Sequence, residues 1–136
     1  MSHNRSPKMG SKWYLPHDTY KYVVSFCYAY KDMKRRLKDL DGMHSHEQDG
    51  MPRGTDTSDP TAEEAMKRMK LQDNIDIIEH AVIDTDPFLY DWLLEGITKR
   101  NVSYSYLKAK KQIPCGKNTY SELRRQVYWR VAERIM

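Results

Sequence analysis

Apolar side chains recur at helical spacing in two long stretches of the first half of the chain. The first stretch, His17–Leu40, follows Pro16, a residue type that is common at the first turn of a helix. The second runs from Pro60 to about Ile83 and follows Asp59, whose carboxylate is suited to cap the first N–H groups. Both stretches predict long α-helices, and residues 42–60 between them are rich in Gly, Pro and polar side chains, which predicts a loop.

Two long helices joined by such a loop are expected to lie antiparallel and to bury their apolar faces on each other. The expected apolar stripe of the second helix consists of Met66, Met69, Ile75, Ile78 and Val82. The first helix has more aromatic side chains than one partner helix can cover. Its extra side either contacts a second copy or RNA polymerase, or is covered by a later helix of the same chain. These aromatic residues are Tyr20, Tyr22, Phe26, Tyr28 and Tyr30.

The last third of the chain predicts three shorter helices. The first starts after Asp86, contains Phe88 among its apolar residues and ends near Arg100, and the second is capped by Ser103. The last runs from Lys117 almost to the final residue. Because no strand-like alternation is long enough for a sheet, the fold class is predicted as all-α: a long antiparallel helical hairpin plus a C-terminal helix-turn-helix.

The predicted organisation has three parts. Residues 1–16 are expected to be a disordered N-terminal arm. Residues 17–83 form the helical hairpin with its loop at 42–60, and residues 84–136 form the helix-turn-helix region.

A helix-turn-helix needs a supporting helix, a tight turn and a recognition helix. Residues 104–110, the turn at 112–116 and the last helix fit that order. One face of the last helix is apolar and should be buried, with Trp129 outside that face and expected to pack against the hairpin. The residues of the apolar face are Tyr120, Leu123, Val127 and Val131.

The opposite face of the last helix carries side chains that suit base edges, since Asn pairs with adenine, Arg with guanine, and Glu accepts from cytosine. Basic and hydroxyl side chains around it suit phosphates. The predicted base-contacting residues are Asn118, Ser121, Glu122 and Arg125. The predicted phosphate contacts are Lys108, Lys110, Lys111, Lys117, Thr119 and Arg124. The alternative is an ordinary solvated face with a local pair between Glu122 and either Arg125 or Gln126.

Charge is distributed unevenly along the 136 residues. From Lys99 onward, ten Lys and Arg against two Glu give a net charge of +8, which leaves −4 for the preceding residues. A basic region interleaved with apolar residues predicts a folded module that binds nucleic-acid phosphates.

Other chemistry finds little support in the sequence. His44, His46, Glu47 and Asp49 match no established metal-ligand spacing, and no cofactor is predicted. Cys27 and Cys115 are too far apart to suggest a redox pair, and no catalytic motif is present, so the chain is not expected to be an enzyme. The polar segment before Trp13 resembles neither a signal peptide nor a membrane span, which predicts a protein of the cytoplasm with no membrane partner.

Several short blocks resemble the phage late-transcription regulators of the RinA and ArpU type. The blocks are Met51-Pro52-Arg53-Gly54-Thr55, Ser58-Asp59-Pro60-Thr61, and Ile113-Pro114-Cys115-Gly116-Lys117-Asn118-Thr119-Tyr120 with Arg124-Arg125 and Tyr128. The resemblance covers roughly Leu37 to Val131. It implies an activator of phage late genes whose C-terminal half is similar to the promoter-binding region four of sigma factors. The positions that match the recognition helix are Lys117, Asn118, Thr119, Ser121, Glu122, Arg124 and Arg125.

The expected function is therefore sequence-specific binding of double-stranded DNA for transcription regulation, in the host-cell cytoplasm if the gene belongs to a phage. Host RNA polymerase and a second copy of the chain are the further expected partners. Two alternatives remain open: a small terminase subunit that binds phage DNA for packaging, and an interaction protein that binds an acidic partner and no DNA.

Overall fold

The computed structural model describes Gly10, residues 12–44 and residues 61–136, with the backbone alone at residues 43 and 44. Within this part of the chain there are six helices and no strand, which confirms the all-α class. The helices are α1 (His17–Tyr28), α2 (Tyr30–His44), α3 (Ala62–Thr85), α4 (Tyr90–Thr98), α5 (Tyr104–Lys111) and α6 (Lys117–Ile135).

The chain divides into two compact units. One contains the residues up to Tyr30 and those from Ile77 to Met136, and the other is Lys31–Asp76. These limits differ from the predicted division into residues 17–83 and 84–136, because α1 packs against α4 and α6 in the first unit.

The core of the first unit lies where α1 meets α4 and α6. Val23 and Cys27 of α1 and Val127 of α6 are fully buried. The rings of Tyr20 and Tyr128 meet edge to face, with centroids 5.5 Å apart. Aromatic pairs of this geometry stabilise a helix contact beyond the area that they bury. Of the aromatic side chains of α1, Tyr20 is therefore buried within the unit, and Phe26 and Tyr28 are half-buried.

Gly96 lets α4, α5 and α6 approach closely. A Cβ atom at this position would collide with the hydroxyl oxygen of Tyr120 and would lie 3.6 Å from a methyl group of Leu107. Leu107, Tyr120 and Ile97 are almost completely buried. A side chain at position 96 therefore requires the Tyr120 side chain to shift.

The predicted single helix from His17 to Leu40 is two helices. The break is at Ala29, whose N–H is shared between the carbonyl oxygens of Ser25 and Phe26 at 3.2 Å each. Tyr22 is the aromatic residue of α1 that stays largely exposed. The predicted long hairpin is not confirmed, because its first arm consists of two helices that are assigned to different units.

In the second unit, α3 begins with a capping box. The Thr61 hydroxyl accepts from the Glu64 N–H at 3.0 Å, and the Glu64 carboxylate accepts from the Thr61 N–H at 3.1 Å. The predicted cap, Asp59, lies outside the described residues. An ion pair joins Arg68 of α3 to Asp41 of α2.

The predicted apolar stripe of the second helix is only partly buried. Ile75, Ile78 and Val82 are buried, whereas Met66 and Met69 are exposed. At about 100° per residue, the two methionines fall on the other side of α3. Phe88, predicted to fill the next helix, is also exposed, because it lies before α4 in a turn where its N–H donates to Asp86.

The last residues of the predicted disordered arm, residues 13–16, belong to the folded structure. Leu15 is buried and Trp13 is half-buried, so residues 13–16 pack on the first unit. Residues 1–9 and 11 lie outside the described part of the chain.

None of the described helices is long and apolar enough to cross a membrane. Across the same residues, no three His, Cys, Asp or Glu side chains lie together in a way that could hold a metal ion. The side chains of His44, His46, Glu47 and Asp49 are outside the described part.

Candidate nucleic-acid interface

The α5 helix has well-defined ends. The Ser103 hydroxyl accepts from the Tyr106 N–H at 3.2 Å, which confirms the predicted cap. At the other end, Gln112 adopts the left-handed conformation, with φ of 50°. The next residue, Ile113, is fully buried, and its N–H donates to the carbonyl oxygen of Leu107 at 3.1 Å. The helix therefore stops where the sequence predicted a turn.

Two aromatic side chains fix the turn at 112–116. The Tyr104 hydroxyl donates to the carbonyl oxygen of Cys115 at 2.6 Å, and its ring lies 5.8 Å from that of Tyr120. The indole N–H of Trp92 in α4 donates to the carbonyl oxygen of Lys111 at 2.8 Å. The end of α5 and the start of α6 are thus held to one framework.

The α6 helix begins at Lys117, as predicted, and its first turn is open. Gly116 precedes it in an extended conformation and offers no side chain to cap it. Lys117, Asn118 and Thr119 are all exposed. The free N–H groups at a helix N-terminus and the helix dipole both favour an anion there.

Four exposed lysines surround this turn, three at the end of α5 and one at the start of α6. No acidic side chain in residues 12–42 or 61–136 forms an ion pair with any of them. They are called the turn lysines: Lys108, Lys110, Lys111 and Lys117.

The other basic residues of the C-terminal region are engaged within the protein. Lys99 pairs with Glu95 at 3.6 Å, and the guanidinium of Arg100 stacks 4.3 Å from the Tyr28 ring centroid. Arg130 donates to the Thr85 hydroxyl and Arg134 to the Asp84 carboxylate, both in α3. The local charge of +8 therefore overstates what a ligand can contact.

Arg124, a predicted phosphate contact, lies at the edge of the core. It is half-buried, with its guanidinium carbon 5.5 Å from the centroid of the Tyr120 ring. Burial raises the pKa of Tyr20 to about 12, although the nearby Arg124 charge opposes the shift. Arg124 therefore faces the buried tyrosines, unlike the turn lysines and Thr119.

The predicted base-contacting residues differ in their surroundings. Asn118 is exposed, whereas Ser121 and Arg125 are half-buried. Glu122 is exposed, and its Oε1 lies 3.9 Å from Nη1 of Arg125. The structure thus contains the local ion pair that was the alternative interpretation of this face.

Glu122 has a second contact that the sequence did not reveal. Its Oε2 accepts a hydrogen bond of 2.5 Å from the indole N–H of Trp13. The Trp13 ring meets Trp129 edge to face, with centroids 5.4 Å apart. Trp129 is thus covered at least in part by the N-terminal segment, where the sequence predicted the hairpin. The position of Trp129 outside the apolar face of α6 was the one sequence feature that indicated a contact with another segment at this place.

Both cysteines are free thiols. Burial raises the pKa of Cys27 well above its ordinary range, and it also raises the pKa of the half-buried Cys115. Neither thiol is held in the reactive thiolate form that a nucleophile needs.

No protein-family model, curated protein or solved structure matches the chain. The chemistry of the interface therefore rests on the residues themselves. Their arrangement combines a fixed turn, an open helix N-terminus and lysines with no acidic partner in the described part of the chain, a combination that suits a polyanion.

Proposed function

We propose that the chain binds double-stranded DNA through α5, the turn at 112–116 and α6, used as a helix-turn-helix. The observation that carries this proposal is the set of four exposed turn lysines beside the uncapped start of α6. Lysines with no acidic partner can replace the counterions condensed on DNA phosphates, and release of those counterions supplies essentially all of the sequence-independent affinity for duplex DNA.

In this proposal the N-terminal end of α6 enters the major groove. Asn118 lies in the exposed first turn, and Arg125 lies two turns further along the same general side. Asn118 would contact adenine and Arg125 guanine, with the turn lysines on the flanking phosphates. Arg125 must leave its 3.9 Å pair with Glu122 to do so, and that pair is exposed enough to exchange readily.

We further propose that the DNA binding serves transcription, with activation of phage late genes as the role. This part rests on the resemblance to regulators of the RinA and ArpU type. Contact with host RNA polymerase and self-association remain predictions of the sequence. A small terminase subunit would share the DNA-binding elements but would assemble into a large ring, so the mass in solution separates the two roles.

DNA binding is tested by titrating the protein with labelled duplexes from its own genome at increasing salt. If the turn lysines all contact phosphates, the logarithm of the association constant should fall with the logarithm of salt with a slope of about −3.6. Absence of salt-sensitive binding to any fragment would refute the proposal.

Sequence preference is tested with Asn118→Ala and Arg125→Ala. Each should weaken the preferred site by about 1–3 kcal/mol relative to random duplex. Glu133→Gln is the matched control, since Glu133 is exposed near the far end of the same helix. A reporter driven by the bound promoter then tests activation.

A further inference from the structure

The N-terminal segment places one aromatic side chain against the DNA-contacting side of α6. The segment is anchored by the buried Leu15, and α1 starts immediately after Pro16, whose carbonyl oxygen accepts from the Tyr20 N–H at 2.8 Å. Trp13 therefore lies two residues before an anchored position. Its ring bridges Glu122 and Trp129, two helical turns apart on α6.

One oxygen of the Glu122 carboxylate is held by Trp13, and the other has only the Arg125 ion pair, which the proposed DNA binding breaks. Oε2 accepts from the Trp13 indole N–H, and Oε1 faces Arg125. An exposed Glu without such contacts samples several rotamers, and fixing it for DNA costs conformational entropy. A side chain already held in one orientation loses less on binding.

Trp13 holds Glu122 without covering it. The Glu122 side chain stays 49% exposed with the indole in place. An ionised carboxylate offers about four acceptor sites, so one hydrogen bond leaves others for a ligand. Glu122 can therefore accept a hydrogen bond from DNA while Trp13 stays in place. Its exposure shows that Trp13 orients the carboxylate without blocking access to it.

We infer that Trp13 is a specificity-determining positioning residue, which orients the Glu122 carboxylate to accept the exocyclic amino group of a cytosine. The inference rests on the proposed DNA binding. It assigns part of the base preference to a side chain that lies 109 positions from Glu122 in the sequence.

The contact itself is tested on the free protein. The indole N–H resonance of Trp13, assigned in a ¹H–¹⁵N spectrum through its loss in Trp13→Phe, should shift in Glu122→Gln. An unchanged resonance would overturn the inference without any reference to DNA.

The role is tested by selecting duplexes from a random library. Glu122→Gln should abolish a cytosine preference at one position, and Trp13→Phe, which keeps a ring against Trp129, should reduce the same preference about fivefold or more. The double variant should match Glu122→Gln. The control is Trp129→Phe, which keeps the ring contact and leaves the indole N–H of Trp13 intact.

The outcomes separate the two proposals. Specific DNA binding with an unchanged preference in Trp13→Phe would overturn the role of Trp13 and leave the proposed function intact. Tighter binding of Trp13→Phe to all duplexes would also overturn it, because Trp13 would then restrain binding. Loss of all salt-sensitive binding in the wild type would refute the proposed function, while the free-protein spectrum would still decide the contact.

Discussion

The two ends of α6 carry similar charge and use it in opposite ways. At its start, Lys117 joins the other turn lysines in solvent with no acidic partner among residues 12–42 and 61–136. Near its end, Arg130 and Arg134 bind Thr85 and Asp84 of α3. Net charge along a sequence therefore does not locate a binding surface, because some of the charged side chains form contacts within the protein.

The residue types account for much of this difference. The planar guanidinium of Arg presents several donors in fixed directions and is weakly hydrated, so it suits contacts at the edge of a core. The ammonium of Lys is strongly hydrated and flexible, and it stays in solvent unless a phosphate replaces its water. Along α6 and its turn, the arginines tend to be structural and the lysines available.

The strongest test of this contrast replaces all four turn lysines by glutamine. Duplex binding should weaken by about a hundredfold at 0.15 M salt, and the salt slope should lose about 3.6, since each phosphate contact contributes about 0.9. Fluorescence anisotropy measures both, and circular dichroism should show an unchanged fold because these side chains are exposed. An unaltered slope would place the phosphate contacts elsewhere.

A second test disturbs the contact between Gly96 of α4 and Tyr120 near the start of α6. Gly96→Ala should lower the free energy of unfolding by about 2 kcal/mol, because the new methyl group collides with Tyr120. Urea denaturation measures the loss. Gly42→Ala is the control, since Gly42 lies in α2 with open space around it and Ala favours helix. Equal stability of Gly96→Ala and wild type would contradict the close packing.

Alkaline pH tests the buried contact between α1 and α6. The Tyr20 phenol packs on Tyr128, and burial raises its pKa to about 12 from 10.0. Because the pKa is higher in the folded state, the stability that the buried, neutral Tyr20 phenol contributes is fully present below pH 10 and is lost as the pH rises toward 12. At pH 11 the loss from Tyr20 is about 1 kcal/mol. Chemical denaturation at pH 8 and pH 11 measures this loss of unfolding free energy. The Tyr20→Phe variant should lose less unfolding free energy between the two pH values than the wild type. Equal losses in the two proteins would exclude Tyr20 as the cause.

The smallest effect is expected from Arg130→Gln combined with Arg134→Gln. The Arg134–Asp84 pair is exposed, so its loss should lower the thermal midpoint only slightly. DNA affinity should stay within about twofold, since neither residue belongs to the turn lysines. A large loss of affinity with the fold intact would extend the interface to this end of α6.

The local elements of this interface could be predicted from the sequence. Ser103 marks the start of α5, and α6 begins at Lys117 after the Pro- and Gly-containing turn. Both are set by residues within a few positions, which is the range that periodicity and capping patterns cover. The exposure of Asn118 and the turn lysines was also predicted, because it depends only on helical phase.

Contacts between distant segments could not be predicted in the same way. The break at Ala29 follows no Gly or Pro, and it coincides with the point where the chain passes from one unit to the other. The Trp13–Glu122 hydrogen bond joins opposite ends of the sequence. The inward position of Arg124 also places its charge near Tyr20 of α1, a residue more than 100 positions away in the sequence. Such features follow from tertiary packing, which overrides local preference.

The uninterrupted course of α6 has a practical consequence for labelling. The helix spans 19 residues, so its two ends lie about 27 Å apart along the axis. Met136 follows it and is exposed. A reporter dye coupled at position 136 would therefore lie far from the turn that we propose to contact DNA, at a separation that the helix keeps constant, whereas a bulky group next to Trp13 would crowd Glu122.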